Sequence, residues 1–245
     1  NLTIEDEIIA YDGKNVSKYD YEGFFMICEN VGFEENFVTY ANYQNYLQMF
    51  KVNLVETEGI IERQRTIKDE EEIECIKKAC EITDKCFSML KEYIKPGLTE
   101  KQIARKIHNY YMENSEGESF ETIVASGENS SKPHAVPTDR IIQSRDIITI
   151  DMGCIINGYC SDMTRTIFIG EPTEKQKNIY NLVLKNQKIA LNQIREGANI
   201  KNIVKGVESD FNINNQTLIH SLGHGVGLEI HEAPIVGIKN DTPLK

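Results

Sequence analysis

The chain has 245 residues, 40% of them hydrophobic, and a formal net charge of −11. That length suits one large domain or one and a half smaller ones, with enough apolar residue to bury a core. The acidity argues against nucleic acid or an anionic membrane as main partner, and no apolar run nears the roughly 18 residues of a membrane span.

Residues 1–66 read as an incomplete piece with no chemistry of its own. Residues 21–30 (YEGFFMICEN) suit a buried strand, 36–49 a helix and 54–61 a second strand. Tyr40, Tyr43 and Leu47 fall at helical spacing and are expected to pack in a core. The sequence opens on Asn1 and shows no signal peptide, so its start reads as internal or processed.

A helix is predicted from about Asp69 to Tyr93, with acids in its first turn and a stripe through Ile73, Ile76, Ala79, Cys80, Ile82, Cys86, Phe87 and Leu90. Pro96-Gly97 ends it. Thr99 and Gln102 form a capping box for a second helix, which runs to about Met112 and carries His108 on its surface. Residues 119–126 follow as a strand. A polar loop over 128–138 then holds His134 between two prolines.

Residues 146–170 (DIITIDMGCIINGYCSDMTRTIFIG) are predicted as a hairpin turning at Asn157-Gly158. That turn sets Asp162 across from Gly153. A turn placed one residue earlier sets it directly across from Asp151. Period-two alternation places Asp151 and Asp162 on one face in either case, about 4.5–8 Å apart. Two carboxylates among apolar neighbours repel and resist desolvation, which a cation between them relieves. Such a site suits manganese, or zinc when imidazole joins in.

Beyond the hairpin, Glu171-Pro172-Thr173 opens a helix over 174–195, with Ile179, Val183, Leu184, Ile189, Ala190 and Ile194 as its buried side, and another helix covers 199–210. The order of elements is α+β, without the strict alternation of a parallel sheet. Residues 218–234 (LIHSLGHGVGLEIHEAP) gather His220, His224 and His231, and the glycines around His224 argue against a regular helix there. The six cysteines, Cys28, Cys75, Cys80, Cys86, Cys154 and Cys160, contain no C-x-x-C pair and read as reduced thiols of a cytoplasmic protein, Cys154 and Cys160 as small buried residues.

Asp151, Asp162 within Ser-Asp-Met-Thr-Arg-Thr, His224 within Gly-His-Gly, and His231-Glu232 together resemble the pita-bread metallopeptidases. The likeness runs from about Ile67 to Pro234. Ser-Asp-Met-Thr-Arg-Thr and Leu-Ile-His-Ser-Leu-Gly-His are similar to the proline-specific branch, Xaa-Pro aminopeptidase and prolidase, and residues 32–46 look like the end of that branch's N-terminal domain. The resemblance implies a remnant of an N-terminal α/β domain with linker over 1–66 and a metallopeptidase domain over 67–245. It also implies five ligands holding two divalent ions, manganese by preference, with cobalt or zinc as alternatives. Three map onto Asp151, Asp162 and His224. The other two are glutamates expected beyond Lys245, so the sequence reads as a piece of a longer protein.

The implied activity is hydrolysis of the bond before proline in short peptides by a metal-bridging hydroxide. His134 and His231 would contact the substrate and the tetrahedral intermediate, His220 would line the proline pocket, and Thr164 would orient the water. The branch is commonly dimeric, so a homodimer is expected. Two alternatives share the fold: a metal-free amidinohydrolase, and a non-catalytic peptide- or protein-binding relative.

Overall fold

A computed structural model describes residues 29–50 and 52–245. It divides into two compact units, one ending at Ile61 and one spanning Glu62 to Lys245. Most of the strand expected at 21–30 lies outside the described residues.

In the first unit, β1 (Asn30–Glu34) pairs in parallel with β2 (Asn53–Thr57), in register from Asn30↔Asn53 to Glu34↔Thr57. Parallel strands need a crossover, supplied here by α1 (Tyr40–Met49). Thr39 caps α1 by accepting the Asn42 N–H. The second strand stops at Thr57, short of the expected 54–61, because Gly59 adopts a φ of 62° and α2 (Ile60–Arg65) begins. Among the described residues the aromatic stripe of α1 is not core. Tyr40 is 78% exposed and Leu47 is exposed, while the Tyr43 ring meets Phe33 at 5.1 Å. The two short strands described offer too little surface by themselves to bury a helix face.

In the second unit, α3 (Glu70–Tyr93) starts from a reciprocal capping box between Asp69 and Glu72, and α4 (Glu100–Asn114) from the predicted one between Thr99 and Gln102. The buried stripe of α3 is Ala79, Thr83, Cys86 and Leu90. Ile73 and Cys80, expected inside, are exposed. Ala79, Cys86 and Leu90, with Ile103, Ile107 and Tyr111 of α4, pack on one face of an antiparallel sheet ordered β3 (Ile123–Ser126), β4 (Ile147–Met152), β7 (Met163–Phe168). Along β4, Ile148, Ile150 and Met152 are buried, so Asp151 points to the opposite face.

Residues 174–193 form α5 (Glu174–Gln193), and α6 (Ile200–Ile213) packs on it through Ala190, Ile203 and Val207. The stripe expected to be buried on α5 is largely not so. Ile179, Val183, Ile189 and Ile194 are exposed, and only Asn186 and Ala190 are buried. The reason is the short reach of α6, which covers α5 where Asn186 Nδ2 donates to Asp210 and leaves the neighbouring turns open among the described residues. No helix among the described residues is long and apolar enough to cross a membrane.

Candidate functional site

The hairpin sets the site. Its turn residues Asn157 and Gly158 both have positive φ, 50° and 81°, as a two-residue primed turn requires. The Glu116 carboxylate accepts both of their amide hydrogens, at 2.7 and 3.1 Å. The pairs Ile156↔Tyr159 and Ile155↔Cys160, carried by the two-residue strands β5 (Ile155–Ile156) and β6 (Tyr159–Cys160), continue into Met152↔Met163 and Asp151↔Thr164. Of the two registers open to the sequence, this is the one that sets Asp162 across from Gly153, diagonal to Asp151.

Between the two ladders the strands approach too closely for a side chain. A Cβ on Gly153 would lie 1.9 Å from the Ser161 carbonyl oxygen. Ser161, the residue before Asp162, is buried and held from several sides. Its hydroxyl shares a 2.7 Å hydrogen bond with Thr83 of α3 and accepts the Cys154 N–H at 2.9 Å, and its carbonyl accepts the Ser119 hydroxyl at 2.8 Å. Cys154 and Cys160 are buried, as expected.

Asp151 accepts the Thr164 hydroxyl at 2.7 Å. The Asp162 side chain is 26% exposed. Burial pushes its carboxyl above the ordinary range and the Asp151 charge adds to that, against a smaller downward pull from His224 and His231.

Both histidines sit on a second ribbon, β8 (Gly223–Gly225) with β9 (Glu232–Val236), paired antiparallel with an irregular register. The absence of helix here agrees with the glycine content. A Cβ on Gly225 would fall 2.3 Å from the Ala233 carbonyl oxygen. His224 Nε2 stands 3.3 Å from Asp162 Oδ2, and the His231 ring lies 4.3 Å from the His224 ring between centroids. Asp151, Asp162, His224 and His231 are therefore brought together.

His134 and His220 are exposed, and no hydrogen bond, ion pair or ring contact among the described residues joins either to those four. The stems of the His134 loop are pinned by Glu100. This wholly buried carboxylate accepts the backbone N–H and the hydroxyl of both Ser126 and Thr138, at 2.6–2.9 Å. Burial alone would raise its pKa, but these four bonds hold it below the usual range. Nothing in the sequence beyond its helix-start position singled Glu100 out. His108 is a surface residue as expected, paired with Glu118 at 2.7 Å.

The donor chemistry fits a divalent cation. His224 Nδ1 lies 2.9 Å from the Gly225 carbonyl oxygen, which can only accept, so Nδ1 carries the proton. Nε2 then faces a carboxylate oxygen, with which it can share a proton or a metal cation. Two carboxylates and one imidazole are borderline-to-hard ligands. Among the described residues no group of three or more His, Cys, Asp or Glu side chains is closed tightly enough to hold an ion by itself.

Residues 74–245 match metallopeptidase family M24. The chain is 39% identical over 222 residues to an Xaa-Pro dipeptidase of Pyrococcus furiosus, covering 89% of this chain and 63% of that protein. It superimposes on an Xaa-Pro dipeptidase from Bacillus anthracis with a TM-score of 0.86 at 36% identity, over 88% of this chain and 62% of that one. An X-Pro aminopeptidase from Thermotoga maritima gives a TM-score of 0.86 at 33% identity, over 92% and 65%. The architecture is accordingly the pita-bread fold, and the chain spans less than two thirds of the length of these relatives.

Proposed function

The chain belongs to metallopeptidase family M24, and from that premise we propose that the protein hydrolyses the peptide bond preceding proline in short peptides, as an Xaa-Pro dipeptidase or aminopeptidase. The observation that carries the reading is the convergence of Asp151, Asp162 and His224, with Nε2 of His224 3.3 Å from Asp162 Oδ2. These three side chains would hold divalent metal, manganese by preference. Metal bound there would supply Lewis acidity, acidifying water and polarising the scissile carbonyl.

The remaining roles belong to the chain's own groups. Thr164 orients the Asp151 carboxylate through its hydroxyl. His231, beside His224, donates a hydrogen bond to the oxygen that gains charge as the carbonyl is attacked. His134, on a loop tied at both stems, and His220 complete the substrate contacts, His220 at the proline side. Their exposure leaves both free to meet a peptide.

The test uses the full-length gene product on Xaa-Pro dipeptides and Xaa-Pro-Yaa tripeptides, with and without manganese. Manganese-dependent release of the first residue is the expected result, and the preferred length separates dipeptidase from aminopeptidase. No cleavage of either, with no bound metal by elemental analysis, would overturn the reading in favour of a non-catalytic peptide-binding protein.

A further inference from the structure

Glu232 directly follows His231, and across the ribbon it pairs with Gly225, the neighbour of His224. Its side chain is only 6% exposed. It accepts from Arg65 through both Nε and Nη2, from Lys68 Nζ at 2.7 Å, and from the Glu229 N–H at 3.1 Å. Glu229, more exposed, adds its carboxylate 3.6 Å from Arg65. Gly227 makes room for this cluster, since a Cβ there would lie 2.5 Å from Glu232 Oε2. The Gly227 carbonyl in turn accepts the Cys160 N–H at 2.8 Å, two residues before Asp162. One carboxylate thus lies within a residue of both histidines and against the loop bonded to the hairpin.

A ribbon of two short strands is marginal by itself. Removing one of the two cations leaves two carboxylates, Glu232 and Glu229, to a single positive charge, an imbalance that the structure relieves by moving. We propose that Arg65 and Lys68 are positioning residues: through Glu232 they hold the β8–β9 ribbon so that His224 and His231 face the hairpin carboxylates. The inference rests on the site reading above. It assigns a task to the stretch from the last residue of α2 to the start of α3, which holds no proposed ligand.

Lys68→Met and Arg65→Met, with Lys68→Arg as the charge-conserving control, test it in the full-length protein. Amide hydrogen exchange over 223–236 should speed up by about tenfold or more while α4 stays protected. Displacement of the imidazoles should lower kcat by about tenfold to a hundredfold, with KM changed less than about threefold. Lys68→Arg should restore both. Should Lys68→Met fail to fold, Arg65→Lys, which keeps the charge and loses the planar fork, carries the same readouts. Exchange that is unchanged, or that rises equally across the domain, overturns the proposal. So does an unaltered kcat in an active protein. A ribbon that loosens selectively while the wild type cleaves no Xaa-Pro peptide supports the clamp and removes only the peptidase reading.

Discussion

His224 directs its Nε2 at Asp162 Oδ2 across 3.3 Å, while its Nδ1 is committed to the Gly225 carbonyl. The largest charge effect on Asp162 comes from Asp151, which is also negative. Without a cation the two carboxylates are a local cost to the fold, and that cost is measurable.

Asp162→Asn should leave the fold intact and weaken manganese binding more than about tenfold, since even outer partners of metal ligands are worth that much. The sign of its effect on the metal-free protein follows from linkage. A carboxyl raised in the folded state contributes stability that is complete below its unfolded pKa and lost as pH rises through the folded value. At pH 7 the ionised group is therefore unfavourable, and Asn should match or exceed the wild-type Tm. That advantage should vanish below about pH 3.9, the unfolded value. Melting curves of chelated protein at both pH values check it. A Tm well below wild type at pH 7 would contradict the repulsion.

Asp146 behaves in the opposite sense. Burial pushes its carboxyl up, but hydrogen bonds from Arg140 at 2.6 and 3.0 Å and from the Gln143 N–H at 2.8 Å outweigh this and hold it low. A depressed carboxyl stabilises above its unfolded pKa, and the contribution is lost as pH falls through the folded value. Asp146→Asn should cost about 2 kcal/mol at pH 7, the scale of hydrogen bonds to charged groups. Urea titrations should show the difference closing at the acid end, below about pH 3.9. A difference that persists undiminished there would assign the loss to packing.

Gly153→Ala should cost about 3 kcal/mol or more, because the new methyl would meet backbone, the Ser161 carbonyl, which cannot yield like a side chain. Gly206→Ala is the contrast. It lies in α6 with open space around its Cβ position, and should stabilise by about 0.5–1 kcal/mol through helix propensity. Equilibrium unfolding of the two variants side by side decides whether close strand approach explains Gly153.

Where the controlling rule acts over a few residues, the sequence was sufficient. Asn157-Gly158 located the turn, because only certain residues accept two successive positive φ values. Thr99 and Gln102 announced α4 through a cap completed within three residues. Alternation put both aspartates on one face whichever register held. The turn at Asn157-Gly158 also carried the register, with Asp162 across from Gly153. Tertiary structure alone showed that, among the described residues, Ile179 and Val183 stay open and Tyr40 is not core, since a periodic apolar stripe says which face could be buried and not whether anything lies against it. The partners of Glu232, 164 and 167 residues earlier, and the two stems that Glu100 holds, were equally out of reach. Charge pairing and desolvation depend on distance in space, and sequence separation carries no information about that until the chain has folded.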